Sequence, residues 1–125
     1  MQDEIKSWWM QAMADLEAAE DLATTRHYYL SSLCSHQAVE KALKALCILK
    51  HKILIKTHDI VMLAEKAGLP SDLIDACDEL NPVYIETRYP DASGVVPAHE
   101  YTQEDARRDL EIAEKVIKWI EQQIS

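Results

Sequence analysis

Arg88 stands alone as a basic side chain within an aromatic segment. It is the only Lys or Arg in residues 67–106, and Tyr84 and Tyr89 lie close to it in the sequence. A guanidinium beside aromatic rings can stack on a base or form a forked contact with a phosphate. The sequence therefore predicts a ligand-binding role for Arg88. The alternative is an internal ion pair with Asp91 or a helical carboxylate that fixes the segment.

A second concentration of positive charge lies in residues 41–56. This segment contains five lysines and no acidic residue, although the whole chain has a net charge of −9. Such a segment can receive an anionic ligand, RNA or an acidic partner. The alternative is that these lysines are solvated and complement the dipole of a helix end. The five are Lys41, Lys44, Lys50, Lys52 and Lys56.

The five histidines raise the question of acid–base or metal chemistry. No HExxH motif or paired helical spacing is present, so no metal site is predicted. His58 follows Thr57 and precedes Asp59, where a helix start can orient an imidazole, and the alternative is a purely structural histidine. We include His58 among the candidate binding residues.

Composition excludes several other classes of protein. Only two glycines occur, too few for the glycine-rich loops that cradle phosphates, and no cofactor is predicted. Cys34, Cys47 and Cys77 form no CxxC pair, which argues against a disulfide framework or a thiolate zinc site. No targeting segment and no apolar run of about 18 residues is present, so we expect a cytoplasmic protein without a membrane association.

The elements that must position these side chains are helices. Apolar residues recur at steps of three and four, and no segment alternates as a strand would. The pattern predicts long helices over 3–25 and 26–51, a shorter one capped by Thr57 and ended by Gly68, and another capped by Ser71. A last long helix opens at Thr102 with Asp105 in a capping box. The sequence thus predicts an all-α bundle of four to five helices.

Residues 81–101 do not fit this pattern. The segment contains Pro82, Pro90, Gly94 and Pro97 and is long for a connection within a compact bundle. Its tyrosines and aliphatic residues can anchor it, so we predict a long ordered loop before the last helix.

Three motifs in this order and spacing resemble the HEPN domain (higher eukaryotes and prokaryotes nucleotide-binding). They are HQAVEKALKA at 36–45, THDI at 57–60 and TRYPD at 87–91. The resemblance extends over nearly the whole chain and implies a single domain over residues 1–125, an up-and-down helical bundle that is usually a homodimer. It also implies a partner, because small prokaryotic members are often encoded beside a small nucleotidyltransferase as a complex or a toxin–antitoxin pair.

Many members of this family are metal-independent ribonucleases that use an Arg followed four to six residues later by a His. This chain departs from that pattern, since the first histidine after Arg88 is His99 and no other arginine has the required spacing. We therefore interpret the chain as a non-catalytic module that binds a nucleotide or a partner such as a nucleotidyltransferase. The alternative is a ribonuclease toxin with a non-standard Arg/His site. The candidate binding residues are Arg88, Tyr89, Asp91, Lys41, Lys44 and His58.

A stripe of small residues on the second helix predicts the dimer surface, because small side chains let another helix approach closely. The alternative is that the stripe packs against a helix of the same chain. Its members are Ser31, Ser35, Ala38, Ala42 and Ala45.

Overall fold

The structure, a computed structural model, describes residues 2–90, 94 and 96–125. All regular structure in these residues is helical, which confirms the all-α class. The helices are α1 (Asp3–Thr24), α2 (Tyr28–His51), α3 (Ile60–Ala67), α4 (Ser71–Leu80), α5 (Val83–Arg88), α6 (Pro97–Glu100) and α7 (Gln103–Ile124). Among the described residues, no helix is both long and apolar enough to cross a membrane.

Helix α2 is the centre of the bundle and contacts α1, α3, α5 and α7. It runs antiparallel to α1: Ile5 near the start of α1 packs on Ala45 and Ile48 near the end of α2. At the opposite end, Ser31 donates a hydrogen bond to the carbonyl of Ala19, with an O···O distance of 2.7 Å. Such burial of a broad helix face supplies most of the stability of the fold.

The predicted stripe of small residues on α2 lies inside the chain. All five members are fully buried, and Ser31 at one end bonds to α1. The prediction that this stripe forms a dimer surface is therefore wrong, and its alternative, packing within the same chain, is confirmed. Periodicity identifies an apolar face but not the helix that covers it. The homodimer itself stays a prediction.

The observed helix ends agree with the predicted ones where the capping residue lies next to the helix in the sequence. Thr102 and Asp105 form the predicted capping box of α7. Gly68 ends α3 in the left-handed region at φ 78°, which a glycine adopts without strain. Helix α2 begins at Tyr28 rather than at Arg26, because Arg26 has a φ of 67° that no right-handed helix contains.

Two predicted N-caps are wrong by one or two residues. Asp59, not Thr57, caps α3, and its carboxylate accepts from the backbone N–H groups of Val61 and Met62. The Thr57 hydroxyl instead accepts from the N–H of Asp59 at 3.1 Å. Ser71 is the first residue of α4 and Pro70 takes the cap position without a side-chain bond.

The segment predicted as a long loop contains two short helices, α5 and α6. Both are far below the length at which an isolated helix is stable, so tertiary packing must hold them. Val83, Thr87 and Pro97 are buried, and α5 lies on α2 while contacting α6. The packing of α5 on α2 brings Arg88 and Tyr84 to the candidate site.

Candidate functional site

The position of His58 is fixed by hydrogen bonds between α3 and the end of α4. Asn81 accepts from the backbone N–H of Ile60 at 3.0 Å and donates its side-chain amide to Asp59 at 3.1 Å. Asp59 is the N-cap of α3, so the residue before it has little freedom to move. These contacts hold the backbone of His58 against the side of α2.

Glu40 on α2 is a buried carboxylate that contacts two side chains of the site. Only 3% of its surface is exposed, and its carboxylate accepts from the ammonium of Lys44 at 3.0 Å and from Nδ1 of His58 at 2.9 Å. A carboxylate only accepts, so Nδ1 of His58 carries a proton and Nε2 is directed away from Glu40. The imidazole, whose side chain is 54% exposed, is thereby held in one orientation.

An aromatic stack links His58 to the candidate arginine. The rings of His58 and Tyr84 lie 4.0 Å apart between centroids and are nearly parallel, with an angle of 14°. The guanidinium carbon of Arg88 lies 5.1 Å from the centroid of the same Tyr84 ring, within the range of a cation–π contact. The stack of Arg88, Tyr84 and His58 thus joins two groups that are far apart in the sequence.

Two adjoining clefts open beside this stack, and they share Thr57 and His58. The first, the Tyr84 cleft, has a volume of about 420 Å³, and the second, the Trp8 cleft, about 330 Å³. The Tyr84 cleft is lined by Thr57, His58, Asp59, Asn81, Pro82, Tyr84 and Ile85. The Trp8 cleft is lined by Trp8, Lys44, Leu54, Lys56, Thr57 and His58. In the Trp8 cleft the Lys44 ammonium lies 5.4 Å from the centre of the Trp8 ring.

A second histidine, His36 on α2, is fully buried next to the site. His36 packs against Tyr84 with ring centroids 5.7 Å apart, and its Nδ1 accepts from the side chain of Gln37. Burial lowers the pKa of His36 to about 4, although the nearby carboxylate of Glu40 opposes this shift. His36 is therefore neutral at physiological pH.

The structure brings three of the predicted binding residues together. Arg88, His58 and Lys44 are linked through Tyr84 and Glu40 as described above. Lys41 faces α1 instead and pairs with Asp15 at 2.6 Å, and it lines neither cleft.

Two further predicted binding residues lie at or beyond the end of α5. Tyr89 caps that helix and is 48% exposed. Asp91 lies outside the described residues, so its pairing with Arg88 stays a prediction.

Sequence reasoning missed Glu40 and Trp8. Glu40 is the one acidic residue of α2, and its place four residues before Lys44 is a usable signal of a charge pair along that helix. Trp8 lies far from the site in sequence and no local pattern indicates its role. Within the part of the chain that the structure describes, no three His, Cys, Asp or Glu side chains converge as a metal site.

Comparison with known proteins identifies the family. The family model of the HEPN domain matches residues 5–123 of this chain. The chain is 35% identical over 124 residues to a protein of Methanocaldococcus jannaschii named "Putative toxin MJ1304", and the match covers 88% of this chain and 81% of that one.

Two crystal structures have the same fold. TT1696 from Thermus thermophilus superposes with a TM-score of 0.89 at 30% identity, covering 97% of this chain and 98% of its own. ST0689, described as an archaeal HEPN homologue, superposes with a TM-score of 0.84 at 30% identity over 100% of both chains. These matches cover nearly the whole chain and agree in sequence and fold. The chain therefore belongs to the HEPN domain family.

Proposed function

We propose that this HEPN domain is a non-catalytic module that binds a nucleotide in the Tyr84 cleft, with its phosphate on Arg88. The observation that carries the proposal is the stack of Arg88, Tyr84 and His58: Tyr84 and His58 line the cleft, and Arg88 lies beside it against the Tyr84 ring. Because His58 and Arg88 both lie against the Tyr84 ring, the base stacks on the outer face of the His58 imidazole, and such stacking is typically worth about 1–3 kcal/mol per base. The exposed guanidinium supplies the charge that a phosphate requires.

The remaining groups around the cleft support the same ligand class. Ile85 is 56% exposed and Pro82 is exposed, so both offer apolar surface to a base. Lys44 acts indirectly, since it neutralises Glu40, and Glu40 in turn holds the imidazole of His58 in place. In a chain of net charge −9, the exposed guanidinium of Arg88 beside the Tyr84 ring is a local positive charge that favours an anionic ligand.

We further propose that the module acts in a toxin–antitoxin type pair, with a small nucleotidyltransferase as its partner. The name of the Methanocaldococcus jannaschii relative supports a toxin-like role. Around α5 and α6, Ile85, Tyr89 and Val96 are each about half exposed, and these apolar side chains can contribute to a protein contact. Isolation from native cells with identification of the co-purifying protein tests this partnership.

Replacing Arg88 by Ala should weaken nucleotide binding about ten- to hundred-fold, because a charge-assisted contact worth about 1.5–3 kcal/mol is lost. Calorimetric titration with the four 5′-ribonucleoside monophosphates measures this effect. The melting temperature of the same variant should stay within about 2 °C of the wild type, because Arg88 is exposed. Arg107→Ala, at an exposed site on α7 that lines neither cleft, is the charge-matched control.

Two results would contradict the nucleotide site. One is that no monophosphate binds to the wild type at millimolar concentration. The other is that Arg88→Ala melts at a lower temperature and keeps its affinity, which would mean that Arg88 only fixes the position of α5.

One observation favours ribonuclease activity as a second candidate function: Arg88 and an imidazole oriented by Glu40 both contact one tyrosine ring. Cleavage of RNA needs a base for the attacking hydroxyl and an acid for the leaving oxygen. Among the described residues that line the two clefts, His58 is the one histidine, and His36 is buried. A second histidine is therefore missing from the described lining of this groove, and binding is the better-supported function.

We accordingly expect no cleavage of total RNA by the purified protein, with or without added divalent metal. Gel analysis of the RNA after incubation with the wild type, Arg88→Ala and His58→Asn measures this. Cleavage by the wild type that disappears in both variants would establish the ribonuclease instead.

A further inference from the structure

We infer that an exposed apolar cleft between α3 and the segment before it is a docking site for a partner protein, which inserts an extended segment of aliphatic side chains flanked by carboxylates. This cleft, the Ile53 cleft, has a volume of about 420 Å³ and is lined by His51, Ile53, Ile55, Met62 and Lys66. It shares no lining residue with the Tyr84 cleft or the Trp8 cleft. The inference therefore does not depend on the proposed nucleotide site.

The first support is that large apolar side chains from two elements meet at the surface. Ile53, in the segment before α3, is 58% exposed, and Met62 on α3 is 45% exposed. Ile55 is partly buried and packs on the main core cluster, which fixes the position of one wall of the cleft. Single exposed apolar residues are ordinary, but those that share a concave surface typically mark an interaction site.

Two hydrogen bonds hold the end of the cleft in place. The Lys50 ammonium donates to the carbonyl of Ala67 with an N···O distance of 2.6 Å, and Nε2 of His51 donates to the carbonyl of Lys66 at 2.8 Å. Both bonds join the last turn of α2 to the last turn of α3. The cleft is therefore already formed in the free chain, which lowers the entropic cost of filling it.

The charges around the cleft favour carboxylates. Residues 50–66 contain four lysines and two acids, in a chain whose net charge is −9. Lys52 and Lys66 are exposed, and among the described residues neither pairs with a carboxylate. Of the two acids, Asp59 already caps α3 with its carboxylate, which leaves Glu65 as the opposing charge. An acidic segment therefore complements this surface.

The backbone beside the cleft favours an extended peptide as the occupant. Residues 53–57 lie outside any helix, and within the described part of the chain their backbone groups make no hydrogen bond with another backbone group. Ile53 and Ile55 line the Ile53 cleft whereas Leu54 lines the Trp8 cleft, which is the alternation of an extended strand. A partner strand can pair with such a segment through main-chain hydrogen bonds while its alternate side chains enter a pocket.

Nucleic acid is a poorer occupant of this cleft. Bases are held on protein surfaces mainly by stacking on aromatic rings. The apolar lining here is aliphatic, and the one ring, that of His51, is bonded to the carbonyl of Lys66. Aliphatic side chains of a peptide therefore match the lining better than bases do.

NMR titration of the isotope-labelled protein with the capped peptide DELVLDE tests the docking site. This probe carries aliphatic side chains between pairs of carboxylates. We expect saturable shifts at the amides of Ile53 and Ile55, with an affinity that falls as salt is raised, because exposed charges are screened. The charge-reversed peptide KKLVLKK should bind about ten-fold or more weakly.

Two matched pairs of variants locate the site. Met62→Gln should weaken binding of DELVLDE about ten-fold, because an apolar wall of the cleft is lost. Met10→Gln, at a similarly exposed position on α1 outside the cleft, should leave the affinity unchanged. Lys66→Glu should weaken binding about five-fold, and Lys118→Glu on α7 should not weaken it. These side chains are all exposed, so each variant should remain folded.

The inference is overturned if DELVLDE gives no saturable shifts at millimolar concentration, if KKLVLKK binds as tightly, or if Met62→Gln keeps the wild-type affinity. Shifts of the same amides by oligoadenylate and not by DELVLDE would assign the cleft to nucleic acid instead. A lower mass for Met62→Gln than for the wild type by light scattering would mean that a second copy of this chain covers the cleft. Monophosphate binding that depends on Arg88 tests the nucleotide site separately from all of these outcomes.

Discussion

Lowering the pH from 6.5 to about 4 should remove roughly 3 kcal/mol of the free energy of unfolding through His36 alone. Burial holds the pKa of His36 in the folded chain at about 4, against 6.5 when the side chain is exposed. Between these values the unfolded chain binds a proton that the folded chain does not. Stability therefore falls as the pH falls, is fully present above pH 6.5 and stops changing through this group below about pH 4.

Groups around His36 modify the size of the effect but not its sign. The carboxylate of Glu40, the side chain of Asn81 and the backbone of His58 raise the pKa of His36, whereas the imidazole of His58 lowers it. Elsewhere, burial raises the pKa values of Asp109 and Glu86, so these groups bind protons more readily in the folded chain and oppose the loss at low pH. A variant is needed to isolate the contribution of His36.

His36→Gln provides that comparison, because glutamine stays neutral over the whole range. Urea unfolding at a series of pH values should give a steeper loss for the wild type than for His36→Gln, and the difference should appear between pH 6.5 and about 4. His27→Gln, at an exposed position before α2, is the matched control and should keep the wild-type slope. Parallel pH profiles for the wild type and His36→Gln would refute the assignment.

Replacing Lys44 by Met should lower the free energy of unfolding by about 3 kcal/mol, because it leaves the carboxylate of Glu40 buried without its cation. Both side chains are more than nine-tenths buried, so water cannot replace the lost partner. His58 still contacts Glu40, which keeps the loss at the lower end of the range for a broken buried pair. Thermal and urea unfolding measure the loss.

Lys41→Met is a matched control on the same helix. Lys41 also pairs with a carboxylate, that of Asp15, but both groups are partly exposed. The expected loss there is at most about 1 kcal/mol. Glu40→Gln combined with Lys44→Met should recover most of the stability, because no buried charge remains. Equal losses for the two single variants would show that burial of the Glu40–Lys44 pair has no special role.

The sequence by itself determined the helices and the ends that depend on nearby residues. Periodicity predicted α1, α2 and α7 to within about three residues, and Gly68 and the Thr102–Asp105 capping box were identified because each acts within one turn of its own helix. It also identified Arg88, His58 and Lys44 as candidate binding residues from charge and spacing. The family followed from three short motifs in register, and the match over residues 5–123 confirms it.

Tertiary structure alone decided which of these residues meet. The contact between Glu40 and His58 joins positions 18 apart, and the packing of α5 on α2 brings Arg88 and Tyr84 to them. Likewise, Lys41 and Lys44 look equivalent in sequence, but one faces Asp15 on α1 and the other the buried Glu40. Local propensity and periodicity act over a few residues of one helix, whereas the partner of a helix face is chosen by the burial of the whole chain. The candidate site lies between helices, so the packing of the bundle had to be known before the site could be.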